Sequence, residues 1–296
     1  MHLDSAWSCG SIRRPPVARL RTRRWLSWLT TALASLIGLG AFFYPFFLSE
    51  LPPATGLAHA AESPLLLGAL GALSLLALIL ETQGGAASET KQVALLGVLV
   101  GLNAVLGFLE TALPGPGGFS PIFFLIILGG YVYGGRFGFL LGGLTMFVTA
   151  LITGGIGPWL PFRMLAGGWI GLTAPAVGRV VAWLRVRETR WEIIALAIFG
   201  SVWSLLFGAL MNLWFWPFIG TAASQPGLGY WESGLSVGQG FANFVAFYIA
   251  TSLVWDLARL GGTAGMLLLF GLPTLRALRR FACRFTFTVA PEESSV

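Results

Sequence analysis

Apolar runs of about span length, separated by short polar or glycine-proline stretches, set the pattern of this chain. A helix crossing the roughly 30 Å hydrocarbon core of a bilayer needs about 20 apolar residues. On that measure the runs predict eight spans, at 26–48, 64–80, 92–112, 119–134, 137–154, 160–182, 192–218 and 238–258. The stretch after Arg259 differs: Met266 to Leu272 is apolar, then come Pro273 and the arginines Arg276, Arg279, Arg280 and Arg284. That spacing predicts a basic amphipathic segment over 261–296, lying at the membrane surface or partly inserted as a ninth span.

The expected fold class is therefore an all-α polytopic membrane protein. Composition agrees: 56% of the 296 residues are apolar, 10% are charged, and the mean hydropathy is +0.79. Soluble domains carry about 25% charged residues. The positive-inside rule sets orientation. With the N-terminus inside, seventeen of the eighteen Lys and Arg fall on the inner side and only Arg163 on the outer, which predicts N-in and C-in with an even number of spans. The same clustering assigns the +6 net charge to topology and anionic lipid, with no nucleic acid implied. The run Trp25 to Leu48 exceeds a signal-peptide core and lacks a small-residue cleavage site, so it reads as a retained span.

Polar, Pro/Gly/Ala/Ser-rich stretches at 51–63 and 81–91 divide the chain. The expected organisation is a basic tail over 1–25, a two-span appendage over 26–85, a six-span body over 86–260, and the basic segment over 261–296.

Enzyme chemistry lacks its residues. The two histidines, His2 and His59, lie outside every predicted span, so a Ser–His intramembrane hydrolase has no base. No His/Glu metal pattern is present, and Cys9 and Cys283 offer neither a disulfide framework nor a metal site. The single lysine, Lys91, does not follow a glycine, so the chain has no phosphate-cradling loop, and ATP-driven work requires a partner. No metal and no cofactor are expected.

Binding chemistry concentrates at the outer end of the body. Two proline-bracketed turns, Leu113 to Pro121 and Gly154 to Arg163, are expected to rim one outward pocket. Arg163 offers a planar fork of donors to an anion or carbonyl, or else pairs with Glu110 or reaches the headgroups. Trp159 stacks on a ligand ring or anchors at the interface. Phe119 and Ser120 cap the first turn. Asn103, Asn212, Gln239 and Asn243 are amides in apolar runs, bonding between helices or converging on a ligand, and Trp216 belongs to an aromatic run after Asn212. Ala94, Gly97 and Gly101 form a small-residue stripe suited to close helix packing, and Gly167, Gly168 and Gly171 form another.

The strings GGFSPIFFLIILGGYVYGGRFG over 117–138, GGIGPWLPFRMLAGGWIG over 154–171 and the tail over 259–285 resemble the substrate-binding S component of energy-coupling-factor (ECF) vitamin transporters. The resemblance covers about two-thirds of the chain, from Lys91 onward, and leaves the first two spans without a family role. It implies a six-helix body that binds a vitamin or precursor on the outer face of the cell membrane. A transmembrane T component and two cytoplasmic ATPases then topple it to release the ligand inwards. In that family an AxxxA stripe packs against the T component; Ala94, Gly97 and Gly101 match it in size, not in identity. Among ligands the resemblance leans to cobalamin, ahead of thiamin precursors, riboflavin and queuosine precursors. The alternatives are a self-sufficient secondary carrier, favoured if the chain alone moves solute, and a non-transporting membrane partner.

Overall fold

The computed structural model describes residues 18–47, 63–82, 87–112, 120–219, 229–231 and 234–284. Among them the chain is helical: α1 (Ala18–Phe43), α2 (Ser63–Thr82), α3 (Ala87–Ala112), α4 (Phe123–Tyr133), α5 (Gly135–Thr153), α6 (Leu160–Thr173), α7 (Pro175–Trp183), α8 (Arg190–Ile219), α9 (Val237–Thr251) and α10 (Leu253–Arg284), with a 3-10 turn at Tyr44–Phe47 after α1. Among the described residues, five segments are long and apolar enough to cross a membrane, at 91–110, 135–153, 160–183, 190–218 and 253–283. The protein is an all-α, multi-pass membrane protein. Leu36, Val98, Leu102, Val254 and Leu269 expose apolar side chains on its perimeter, where a bilayer solvates them.

The bundle centres on α4, whose residues from Phe123 to Gly130 are all buried. Glycine makes that possible. A Cβ at Gly142 would overlap the Gly167 carbonyl, and one at Gly171 would overlap the Gly138 backbone, so α5 and α6 meet main chain to main chain. Gly130 meets Gly171 in the same way, bringing in α4. Gly134, at φ 100°, joins α4 to α5 through a single residue, a conformation open to glycine. The expected 167/168/171 stripe thus works inside the fold. Pro175 at the start of α7 breaks the span 160–183 into α6 and α7 without ending it.

The N-terminal appendage is not loosely attached. Phe42 is 1% exposed and meets the edge of the Phe162 ring at 4.8 Å, and Trp169 donates its Nε1–H to Ser35 Oγ at 3.0 Å. Ser63 Oγ donates to the Pro158 carbonyl at 2.9 Å, fastening the start of α2 to the turn before α6.

The last span departs from the expectation. The apolar run 238–258 does not form one helix: it bends at Ser252 (φ −129°), and α10 then continues unbroken to Arg284. The segment long and apolar enough to cross is 253–283, so the expected boundary at 260 falls inside a helix, and one face of 261–284 packs against the bundle. Thr263, Leu267, Gly271, Leu275 and Leu278 are buried at helical spacing, and this face packs along α8 in the antiparallel sense: Gly200 faces Thr263 and Leu267, and Gly271 faces Ile193. A membrane helix can carry arginines at its end when they find partners. Arg279 pairs with the buried carboxylate of Glu192, which also accepts from the Tyr131 hydroxyl and from the Glu188 backbone N–H at 2.8 Å.

Candidate functional site

The helix ends divide into an arginine-rich end, where α1, α3, α5 and α8 begin and α7 and α10 finish, and an opposite end. The candidate site lies toward the opposite end, on the close of α3, the starts of α4 and α6, the later turns of α8, and α9 with the first turns of α10.

Its polar spine starts at Glu110. Ser120 Oγ donates to Glu110 Oε2 at 2.7 Å, and Ser120 is buried at 2% exposure. The Ser120 carbonyl accepts from Thr263 Oγ1 at 3.4 Å, and Thr263 accepts from Ser204 Oγ at 3.2 Å. Three helices, α3, α8 and α10, and the residue leading into α4 are thereby linked by short hydroxyl side chains, as expected where backbone polar groups have no water to turn to. Glu110 also attracts Arg259 and Arg163 through space. Among the described residues, no hydrogen-bond acceptor meets the Arg163 guanidinium, and no carboxylate pairs with it directly. The expected Glu110–Arg163 link exists only as this longer-range attraction.

Asp256 and Arg259 belong to this end of the bundle, and this corrects the sequence reading, which counted Arg259 among the inner cations. Asp256 is 2% exposed, ion-paired with Arg259, and accepts from the Tyr248 hydroxyl at 2.8 Å. It fills the space a side chain at position 208 would occupy, so Gly208 is what admits a carboxylate between α8 and α10. The Arg259 guanidinium carbon lies 5.4 Å from the centre of the Phe207 ring. Antiparallel packing of α10 on α8 puts the pair within the bundle, where ionisable groups are costly and carry function by default. Arg163 thus shares its end with a second arginine.

The remaining candidates are distributed as follows. Trp159 donates its Nε1–H to the Gly155 carbonyl at 3.2 Å and meets the edge of Trp214 at 6.4 Å. Asn212 is buried; its amide donates to the Gly208 carbonyl at 2.8 Å and accepts from Ser252 Oγ at 2.8 Å, which braces the bend between α9 and α10. Trp216, 2% exposed, donates to the Gly229 carbonyl at 2.9 Å, while Asn243 donates to the Tyr230 carbonyl at 3.2 Å. Together they hold the strap 229–231 against the bundle. Gln239 is exposed and forms a capping box with Ser236 at the start of α9, so it does not sit among apolar helices as its sequence context suggested. Asn103 donates to the Ile122 carbonyl at 2.7 Å and to Thr145 Oγ1 at 3.3 Å, tying α3 to α4 and α5. Phe119 and most of the first proline turn lie outside the described residues.

The structure therefore brings Glu110, Ser120, Arg163, Asp256 and Arg259 toward one end and commits Asn212, Trp216, Gln239 and Asn243 to local bracing. Asp256, Arg259, Tyr248 and Thr263 were missed, although an Asp–Arg pair three residues apart inside an apolar stretch was a legible signal. Ala94, Gly97 and Gly101 lie on an exposed face of α3, and a Cβ at either glycine would meet nothing within 4 Å.

No curated protein and no solved structure matches the chain. A family description does: residues 91–271 match the model of the ECF transporter, substrate-specific component. The matched stretch opens in the first turns of α3 and reaches well into α10, taking in every residue of the spine and leaving α1 and α2 outside it. Covering more than half of the chain, this match shows that the protein belongs to the substrate-specific components of ECF transporters.

Proposed function

We propose that this protein captures a vitamin or related micronutrient at the end formed by Glu110, Ser120, Arg163 and Arg259, with cobalamin as the first candidate. The observation that carries the reading is Arg163: a half-buried guanidinium at the start of α6, balanced by Glu110 only at a distance, and so available to a carbonyl or anionic group of a ligand. Trp159 and Trp214 supply an aromatic wall beside it. The arginine-rich end faces the cytoplasm by the positive-inside rule, with both termini there and the binding end facing outward across the cell membrane. Release is driven by a T component and two ATPases, and Ala94, Gly97 and Gly101 on the open face of α3 are the docking stripe.

The test is equilibrium binding of labelled cobalamin, and of thiamin and riboflavin as comparators, to the purified chain in nanodiscs. Arg163→Ala and Trp159→Ala each weaken binding at least about tenfold, or 1.4 kcal/mol, with monodispersity retained. Unchanged affinity in both variants refutes the site. The buried Asp256, paired with Arg259, favours one second reading, an ion-coupled carrier; solute accumulation in liposomes holding the chain alone, abolished by Asp256→Asn, selects it.

A further inference from the structure

The two helices outside the family match, α1 and α2, both meet the rim of the candidate site. After α1 the chain passes into the 3-10 turn Tyr44–Phe47, which sets the Phe46 ring among aromatics of the body. Phe46 lies 6.0 Å from Trp216 on α8 and meets the edge of Trp231, in the strap, at 6.1 Å. Trp216 is itself bonded to the Gly229 carbonyl, so Phe46 completes the packing that holds the strap on α8.

The start of α2 reaches the other side of the rim. Ser63 is 6% exposed, and its hydroxyl donates to the carbonyl of Pro158, the residue before Trp159. The turn that carries Trp159 opens at Gly154, at φ 69°, and also holds Gly155 and Gly157, a sequence with wide conformational freedom. A bond arriving from 95 residues away removes that freedom where Trp159 is placed. Between the two contacts, Phe42 packs on Phe162, the neighbour of Arg163. The appendage therefore touches both rim pieces and the residue next to the guanidinium. Loops fixed before a ligand arrives spare the ordering cost of binding.

We infer that α1 and α2 preset the outward end for its ligand, with Ser63 and Phe46 as positioning residues: Ser63 holds the Trp159 turn and Phe46 holds the strap. Resting on the assignment of this end as the ligand site, the brace gives the appendage a share in affinity that the matched body alone would lack.

Hydrogen–deuterium exchange of the full, ligand-free chain in nanodiscs tests the brace. Ser63→Ala speeds exchange over 154–160 about fivefold, the weight of one hydrogen bond, and Phe46→Ala speeds it likewise over 229–231. Ser35→Ala is the matched control. It removes another hydroxyl bonded between appendage and body, the acceptor of the Trp169 Nε1–H, and leaves exchange at both rim segments as in wild type. Dissociation of labelled cobalamin is the second readout: it quickens about fivefold in Ser63→Ala and Phe46→Ala and not in Ser35→Ala, whatever each does to the melting temperature. Wild-type exchange at the rim in both brace variants, faster exchange with unchanged dissociation, or an equal effect of Ser35→Ala overturns the inference. Faster exchange and faster dissociation in the brace variants, with binding indifferent to Arg163→Ala and Trp159→Ala, supports the brace and refutes those two ligand contacts alone.

Discussion

Two glycine stripes of similar composition should respond to substitution in opposite ways. Gly171→Ala adds one methyl group where the Gly138 main chain already lies, and Gly142→Ala does the same against Gly167. A side chain could rotate aside, but a carbonyl held in an α-helix cannot, so α5 and α6 must separate along their length. Overpacking costs typically about 1–3 kcal/mol, and the rigid obstacle puts these variants at the upper end, about 3 kcal/mol. Gly97→Leu and Gly101→Leu meet open space and should leave the isolated protein as stable as wild type. They would instead keep a partner helix from approaching α3, weakening capture of a T component at least about tenfold. Thermal melts in detergent read the first effect, and co-purification with a co-expressed T component and ATPases reads the second. A Gly171→Ala protein that melts with wild type would refute the main-chain contact, and full complex recovery by the Gly97→Leu/Gly101→Leu double variant would refute docking on this face.

Other variants test separate parts of the argument. Asp256→Ala leaves the partly exposed Arg259 inside the bundle without its ion-pair partner and should cost about 3 kcal/mol, the low end for breaking a buried pair, whereas replacing both by apolar residues of similar volume should restore most of the loss; a double-mutant cycle in SDS unfolding measures the coupling. Ser63→Ala removes the bond to the Pro158 carbonyl, about 1 kcal/mol, and should weaken ligand binding through the Trp159 turn more than it lowers the melting temperature. Phe42→Ala empties a site packed against Phe162 and should destabilise the fold by roughly 2 kcal/mol or more. If cleavage of the chain between α2 and α3 left stability and binding intact, the appendage would be separable and this reasoning wrong.

The sequence by itself determined the class of protein and most of its crossings. Apolar runs of bilayer length admit no water-exposed alternative, because an unpaired backbone amide in hydrocarbon is too costly, and the arginine asymmetry survives as one arginine-rich end. The glycine stripe at 167–171 was legible as a packing surface. What small-residue spacing could not say is which stripe is internal: 167–171 meets α5, while 97–101 faces outward, a difference set only by where the other helices run. The last crossing was misread for a related reason. Arginines dilute the hydropathy of 253–283, yet Glu192 of α8 meets Arg279 across helices, Asp256 meets Arg259 one turn along α10 itself, and the longer segment is the one that packs along α8. Amides such as Asn212 and Gln239 looked available for a ligand because a sequence shows their polarity and not their partners. Only the tertiary structure decides which polar groups already hold the fold together and which, like Arg163, remain for something else.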